Sequence, residues 1–393
     1  MNVHKETHII YIYLFITDYR QNKLFTTNLL NKRKEQNNMS KGETFKTPLT
    51  ELFGIKHPIL LAGMNVAAGP ALAAAVTNAG GLGVIGGLGY TPKFMREVIQ
   101  ELKDDLVDKN APFGVDLLLP QVGGSARKTN KDYTGGQLPE LIDVIIESGA
   151  KLFVSAVGVP PRWAVEKLHG AGILCMNMIG STRHVSKALA AGMDIICAQG
   201  TEGGGHTGDT ATSVLIPQVV DLCQGKKSEL TGDPILVVAA GGIFDSRGLA
   251  MSLSLGAAGV WVGTRFVCAE EAGAPPLHQK TLIDTTSEGT MRTIIFSGRP
   301  LRGAATDYAR DWEDNRQEEI KELTNKGILP VMHDVMKRQK AGEEVPLSMT
   351  RYWLMGQAAG AVKDVKPAAD IMNEMIDGAI AIMRGNVGII SRI

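Results

Sequence analysis

The feature that most restricts what this chain can fold into is an alternation. From Phe45 onward, short and almost continuously apolar runs are each followed by a longer stretch with helical spacing. The runs begin at Pro58-Ile-Leu-Leu-Ala, Leu82-Gly-Val-Ile, Phe113-Gly-Val-Asp-Leu, Leu152-Phe-Val-Ser-Ala, Ile173-Leu-Cys-Met-Asn, Ile195-Ile-Cys-Ala-Gln, Ile235-Leu-Val-Val-Ala and Val260-Trp-Val-Gly-Thr. Strands that lack polar alternation are covered on both faces, as in a parallel sheet flanked by helices. Pro70–Asn78, Pro92–Leu106, Thr182–Ala191 and Ser246–Leu255 read as helices between them. Eight such units predict an α/β fold, a closed (β/α)8 TIM barrel over residues 45–270. Residues 271–393 are then a mostly helical extension that packs on the barrel and covers its mouth. In it, Arg310–Asn325 reads as a charged surface helix. Pro367–Arg384 reads as a helix whose stripe of Ile371, Met375, Ala379, Ile382 and Met383 is packing rather than a cofactor site.

Residues 1–44 stand apart. The first forty contain no glycine and are rich in Asn, Lys, Tyr and Thr. The apolar run His8–Ile16 is too short to span a bilayer, and no small-residue cleavage site follows it. Met39 precedes Ser-Lys-Gly-Glu just before the first structured residues. The segment is expected to be a disordered leader or a start assigned too far upstream, with a targeting segment as the other reading. At the far end, Ser391-Arg-Ile393 resembles the peroxisomal S-K-L address. Otherwise a cytoplasmic location is expected.

Charge narrows the partners. Lys+Arg and Asp+Glu each number 41, so no global field draws the chain to nucleic acid or to an anionic membrane. Cys175, Cys197, Cys223 and Cys268 are far apart with no C-x-x-C, which argues against a disulfide framework or zinc and for a reducing compartment. Small-molecule partners fit best, and a homo-oligomer stays open.

Gly81-Leu-Gly-Val-Ile-Gly86 satisfies G-x-G-x-x-G by letter. A dinucleotide fingerprint follows a strand and opens a helix. Here a helix precedes the glycines and a strand contains them, so they are read as positions for tight barrel packing and for close approach to a ligand at the strand end.

In a (β/α)8 barrel the active site lies at the C-terminal strand ends, and phosphate is commonly held by the loops after the seventh and eighth strands. Those loops are Ala239-Ala-Gly-Gly-Ile243 and Val262-Gly-Thr-Arg-Phe266. Ala240, Gly241, Gly242 and Gly263 can bring backbone N–H groups to an anion, and Thr264 adds a hydroxyl. The loop after the sixth strand, Ala198-Gln-Gly-Thr-Glu-Gly-Gly-Gly-His-Thr-Gly-Asp209, is the most unusual segment. Its glycines, Gly204 and Gly205 among them, predict close backbone approach to something flat or bulky. His206 then enters the barrel mouth as the candidate catalytic side chain, and Gln199 can hydrogen-bond a ring edge. His57, His169 and His184 lack such a setting and are expected to be solvent-facing or satisfied locally. A metal at His206 and Asp209 would have too few ligands, so none is expected.

At these residues the sequence resembles the nitronate monooxygenase family, from about Leu52 to Phe266. Pro58-Ile-Leu-Leu-Ala-Gly-Met-Asn is similar to the family's opening strand, which places Ala62, Gly63 and Met64 against the flavin. Phe113-Gly-Val-Asp116 resembles its third strand, where a polar residue, here Asp116, meets the flavin ring. Gln199 to His206 resembles its catalytic segment, with the histidine on His206. Ala240-Gly-Gly242 and Gly263-Thr264 resemble its FMN phosphate loops. Gly298-Arg-Pro300 and Gly356-Gln-Ala-Ala-Gly360 resemble more distal motifs. Three positions depart from the main bacterial pattern: Gly63 for Pro, Asp116 for Asn, and Glu-Gly-Gly-Gly-His for Glu-Ala-Gly-Gly-His. They lean toward fungal and plant-like members.

The resemblance implies FMN as cofactor and oxidation of alkyl nitronates, or of nitroalkanes, by O2 to a carbonyl compound and nitrite. A protonated His206 would hold the anion, whereas a neutral one would take the α-proton of a nitroalkane. The alternatives are an FMN-dependent, NAD(P)H-linked enoyl-thioester reductase and an inactive flavin-binding protein. A chemistry like that of inosine monophosphate dehydrogenase needs a mouth-loop cysteine, and Cys197 lies inside a strand.

Overall fold

A computed structural model of the chain describes residues 43–387. Both the leader expectation, but for its last two residues, and the tripeptide at 391–393 fall outside that span.

Each predicted run supplies a strand: β1 (Ile59–Leu61), β2 (Gly83–Gly86), β3 (Phe113–Leu118), β4 (Leu152–Ala156), β5 (Leu174–Ile179), β6 (Ile195–Gln199), β8 (Leu236–Ala240) and β9 (Gly259–Val262). A two-residue strand, β7 (Gly205–His206), falls between β6 and β8. The eight parallel strands run in the order β1-β9-β8-β6-β5-β4-β3-β2. The ring closes between β1 and β2 through the Leu60–Leu82 bridge. There Leu61 N donates to Leu82 O and Leu82 N to Ile59 O, each at 3.0 Å. The (β/α)8 barrel is therefore closed, as the run count predicts.

Successive strand residues point to opposite faces, which splits the core in two. Leu60, Val84, Leu152, Val154, Met176, Ile195, Cys197, Val238 and Trp261 form one buried cluster. Ile59, Leu61, Ile85, Val115, Phe153, Ile196 and Val260 join the surrounding helices in another. The short helix Pro48–Phe53, capped by the Thr47 side chain on Thr50 N, adds Leu49 and Phe53 to the first cluster. Alternation is thus present in space although both faces are apolar in sequence. It is the packing of a filled barrel.

The glycines of Gly81–Gly86 serve this packing. A Cβ on Gly83 would meet Ala73 O of the helix Pro70–Asn78 at 2.0 Å, and one on Gly86 would meet Asn65 N at 2.2 Å.

Beyond the barrel the chain is helical for the most part, but it also contains two strands that hydrophobic periodicity does not reveal. β10 (Thr290–Thr293) and β11 (Leu301–Ala304) are short and carry few large apolar residues. β11 pairs antiparallel with β10 on one side and with β7 on the other. The helix expected over Arg310–Asn325 is two helices, Asp307–Asn315 and Gln317–Asn325. Arg316 divides them, with its guanidinium 3.3 Å from the centre of the Trp312 ring and ion-paired to Glu319 and Asp334. Nor is the segment only a surface. Trp312, Ile320 and Leu323 are buried in a third cluster with Ile295, Phe296 and Val331. The last helix, Ala368–Val387, behaves as its spacing predicts. Ile371, Met375 and Ala379 are buried and Ile382 and Met383 pack beside them, and Gly378 lets the helix approach Ser246 closely. No helix among the described residues is long and apolar enough to cross a membrane.

Gly83→Ala is expected to destabilise the fold toward the upper end of the 1–3 kcal/mol typical of overpacking, about 3 kcal/mol, because the obstacle is backbone. Urea denaturation measures this. Flavin affinity of the folded fraction should stay unchanged, and a selective loss of affinity would instead make this a cofactor loop.

Candidate active site

The C-terminal ends of the strands open into a cavity of about 1690 Å³. Ala62, Gly63, Met64, Asp116, Gln199, Gly204, Gly205, His206, Ala240, Gly241, Gly242, Gly263 and Thr264 all line it. Residues from every part of the barrel sequence therefore meet in one place.

On one side lie the loops after β8 and β9, whose parent strands are hydrogen-bonded neighbours. Gly241 and Gly242 have φ of 95° and 71°, a left-handed pair that only glycine adopts without strain. The Thr264 hydroxyl accepts a hydrogen bond from Gly356 N at 2.9 Å, so its own proton remains available to an anion. Arg265 is not, since it is buried against Asp364.

Beside them lies the glycine-rich loop, with Gly241 packed on Gly200 and Gly242 on Glu202. What presses on its glycines is the chain itself. A Cβ on Gly203 would meet Gln199 Nε2 at 2.5 Å, and one on Gly204 would meet Gly356 N at 2.8 Å. Gly205 needs its glycine for a φ of 71°. Gln199 donates through Nε2 to Gly204 O (3.3 Å) and His206 O (3.0 Å), so its amide nitrogen holds the loop. Glu202 accepts from Thr212 N and Thr212 Oγ1, and Arg302 donates to Thr201 O at 3.0 Å. The loop is braced at both ends before any ligand arrives.

His206 forms β7 with Gly205 and pairs with Leu301 of β11. Its Nε2 is 3.0 Å from Ser297 Oγ, and Ser297 Oγ donates to Arg299 O at 3.1 Å. With the hydroxyl proton committed there, Nε2–H donates to Ser297 and Nδ1 keeps the lone pair. Burial, and secondarily the positive charge of Arg299, push the imidazole down to about 4. That shift favours the neutral ring, the form that can take a proton.

Arg299 was not singled out by residue type; its signal was the Gly298-Arg-Pro300 segment. It donates from Nε to Asn130 Oδ1 (3.0 Å) and from Nη1 to Val157 O (3.1 Å). Val157 takes φ 68°, an outlying conformation for a β-branched residue. Arg299 and Ser297 both line the cavity, as do Phe296 and Tyr352, which stack at 4.3 Å between ring centres.

Two side chains on the remaining wall have no protein partner. Asp116 Oδ1 and both amide atoms of Asn65 are buried and unbonded, and both residues line the cavity. Native proteins rarely leave such atoms unpaired, and a bound polar ligand resolves the anomaly. Together with the left-handed glycine pair, the free Thr264 proton and the cavity's size, these groups fit an FMN molecule.

The other histidines lie elsewhere or are engaged. His57 is buried rather than solvent-facing, with Nδ1 2.9 Å from Thr44 Oγ1. His184 lies at the cavity rim and accepts from Arg183. His169, Cys175 and Asp194 lie within 4.8 Å of one another. The Asp194 carboxylate is already occupied by His169, Cys175 N and Ser228 Oγ. Asp209 is paired with Arg292. All four cysteines are free and buried, and burial pushes the Cys197 thiol well above its usual range, which suits a strand position and not a nucleophile.

Comparison with known proteins agrees with this geometry. The sequence profile of the family described as "Nitronate monooxygenase" matches residues 46–378. The chain is 34% identical to a Staphylococcus saprophyticus protein named a probable nitronate monooxygenase, covering 67% of this chain and 79% of that one. It is 35% identical to a Mycobacterium tuberculosis protein named (3aS,4S,5R,7aS)-5-hydroxy-7a-methyl-1-oxo-octahydro-1H-indene-4-carboxyl-CoA dehydrogenase, covering 68% of each. Among solved structures, a nitroalkane oxidase from Streptomyces ansochromogenes superposes with a TM-score of 0.69 at 26% identity, over 86% of this chain and 99% of that one. The chain belongs to the nitronate monooxygenase family and is a flavin-dependent oxidoreductase whose cofactor is FMN.

Proposed function

We propose that the protein oxidises alkyl nitronates, and the parent nitroalkanes, with O2 to a carbonyl compound and nitrite. The observation that carries this reading is the placing of His206 and Arg299 in one cavity, with His206 Nε2 3.0 Å from Ser297 Oγ and the Arg299 charge adding to the burial that lowers the imidazole's ionisation. That combination offers a base and a fixed positive charge in one cavity. FMN, when bound, supplies the redox chemistry.

The protein's own part divides by wall. Gly241, Gly242, Gly263 and Thr264 hold the FMN phosphate, with Ala240 beside them. Ala62, Gly63, Met64, Asp116, Gln199, Gly204 and Gly205 shape the ring site. His206 Nδ1 takes the α-proton of a nitroalkane. Arg299 then faces the nitronate anion, whose negative charge it stabilises. For a substrate supplied as the nitronate the proton has already gone, and only Arg299 and the cavity shape are needed. The extension, which contributes Phe296, Ser297, Arg299, Tyr352 and Met355 to the lining, covers the site from water.

A second reading is favoured by size and charge. The cavity of about 1690 Å³, which has to take FMN as well as the substrate, exceeds the ~300–1,000 Å³ usual for one ligand. Arg127, Lys131, Arg183, Lys187, Arg292, Arg299 and Arg351 line it against Asp132 and Asp209. A thioester of coenzyme A would match this space and this charge, as the name of the mycobacterial relative suggests. Competition by acyl-CoA against nitronate turnover, together with NAD(P)H consumption, would favour that reading.

Two outcomes are expected. His206→Asn should lower nitroalkane oxidation by about 10²–10⁴-fold, the usual contribution of a general base, while oxidation of the preformed nitronate falls far less. Because a base must be unprotonated, the nitroalkane rate should hold as pH falls and drop only near the depressed value of about 4. Equal loss on both substrates at matched flavin content would refute the base role. Thr264→Val should raise the Kd for FMN by about 10–100-fold, the effect of one charge-assisted hydrogen bond. Flavin fluorescence titration measures this, and an unchanged Kd would move the phosphate elsewhere.

A further inference from the structure

The assignments above give Asp116 a place but leave its protonation unused. It lies in β3, in register with Gly86 of β2 and Val154 of β4. It is 2% exposed and lines the cavity where the strands end. Its Oδ1 is buried with no hydrogen-bond partner. Among the described residues, none of the ion pairs includes it. An ordinary buried carboxylate is paired with a cation or collects several N–H donors. This one has neither.

The surroundings are neutral on every side. Gly63, just past the end of β1, lies so close that a Cβ there would come within 2.4 Å of Asp116 Oδ2. β2 and β4 contribute Gly86 and Val154. The titratable neighbour is the Cys197 thiol of β6, which burial and Asp116 itself keep protonated. Desolvation alone pushes the Asp116 carboxyl up to about 8. Gly63 and Asp116 lie against each other. Gly63 vacates the space that the carboxyl occupies.

We propose that Asp116 remains a carboxylic acid in the FMN-bound enzyme and donates its proton in a hydrogen bond to an acceptor on the flavin ring, so that cofactor binding depends on that proton. This rests on the FMN assignment of the cavity. The neutral acid supplies the one thing an unpaired carboxylate cannot, an O–H donor, and bringing in the ring completes the desolvation that keeps it neutral. By linkage, FMN binding must hold the proton more tightly than the free protein does.

The test is FMN affinity against pH, read by flavin fluorescence on the full-length apoprotein between about pH 6 and about pH 9.5. Above about pH 8 the wild-type Kd should climb toward the tenfold per pH unit that follows when only one protonation state binds. Asp116→Asn keeps a donor but has nothing to ionise, so its Kd should stay level over that range. Asp116→Ala should bind more weakly throughout. Titration of the FMN phosphate and ring is common to all three proteins and cancels in the comparison. Superimposable profiles for wild type and Asp116→Asn would overturn the proposal. Should the Asn variant fail to fold, calorimetry of the wild type above pH 8 in two buffers of different ionisation enthalpy gives the same answer. Uptake of about one proton per FMN supports the proposal, and uptake of none overturns it. If wild type bound no FMN at any pH, the cofactor assignment itself would fall and this inference with it.

Discussion

The site depends on one backbone pairing. β7 is only two residues long, and a strand that short has no stability of its own. It exists because Leu301 and Arg302 of β11 pair with His206 and Gly205, while Gly203 and Gly204 pack against Gly356 and Met355. The glycines are needed because two main chains come into contact there, and a side chain on either would separate them. The barrel thus provides His206, but the chain beyond the barrel decides where it points. Arg302 joins the same two layers by reaching from β11 to Thr201 O.

Desolvation is the common cause of the site's electrostatics. The same removal of water pushes His206 down and Asp116 up, because the charged form is the one that loses hydration in each case. Arg299 is lowered for the same reason, yet stays a cation because guanidinium ionises so far above neutrality. A cavity that strips water equally from a base, an acid and a guanidinium leaves the first two neutral and the third charged. On the proposed reading this is what the chemistry requires: a base free to accept, an acid free to donate, and a positive charge for the anion. The backbone of Val157, held at φ 68°, presents its carbonyl to Arg299, so local strain is coupled to the orientation of that cation.

The barrel was legible because its signal is long-range and redundant. Eight apolar runs at regular spacing admit few alternatives, and Gly241-Gly242 and Gly263-Thr264 follow from their position after the seventh and eighth strands. His206 was legible because three glycines precede it. The extension was not. β10 and β11 bury little apolar surface, so no periodicity marks them. They are held by ladder hydrogen bonds, β10 to β11 and β11 to β7, which no local pattern encodes. Arg316 divides a helix that the charge pattern reads as continuous, because its guanidinium stacks on Trp312 and pairs with Asp334, a partner 18 positions away. Ser297 and Arg299 were hidden for a related reason. A serine and an arginine in a loop acquire meaning only when β11 folds back beside His206. Of the two settings open to His57 in the sequence, the structure shows the local partner, Thr44 at Nδ1.

This division has a consequence for how such a protein acquires its substrate. Two of the strand-end groups proposed to hold FMN are fixed by the barrel's own packing: Gly63 by Asp116 and Gly241 by Gly200. Changing them disturbs the core. The groups on the opposite wall, Phe296, Arg299, Tyr352 and Arg351, come from segments outside the barrel whose sequence the eight-fold repeat does not constrain. Evolution can alter that wall without touching the cofactor site. A family organised in this way can keep one flavin and change what is presented to it. Relatives named for a nitronate and for a coenzyme A thioester can therefore each be about a third identical to this chain over the two thirds of it that they match. On the proposed reading the substrate is decided where the barrel repeat ends.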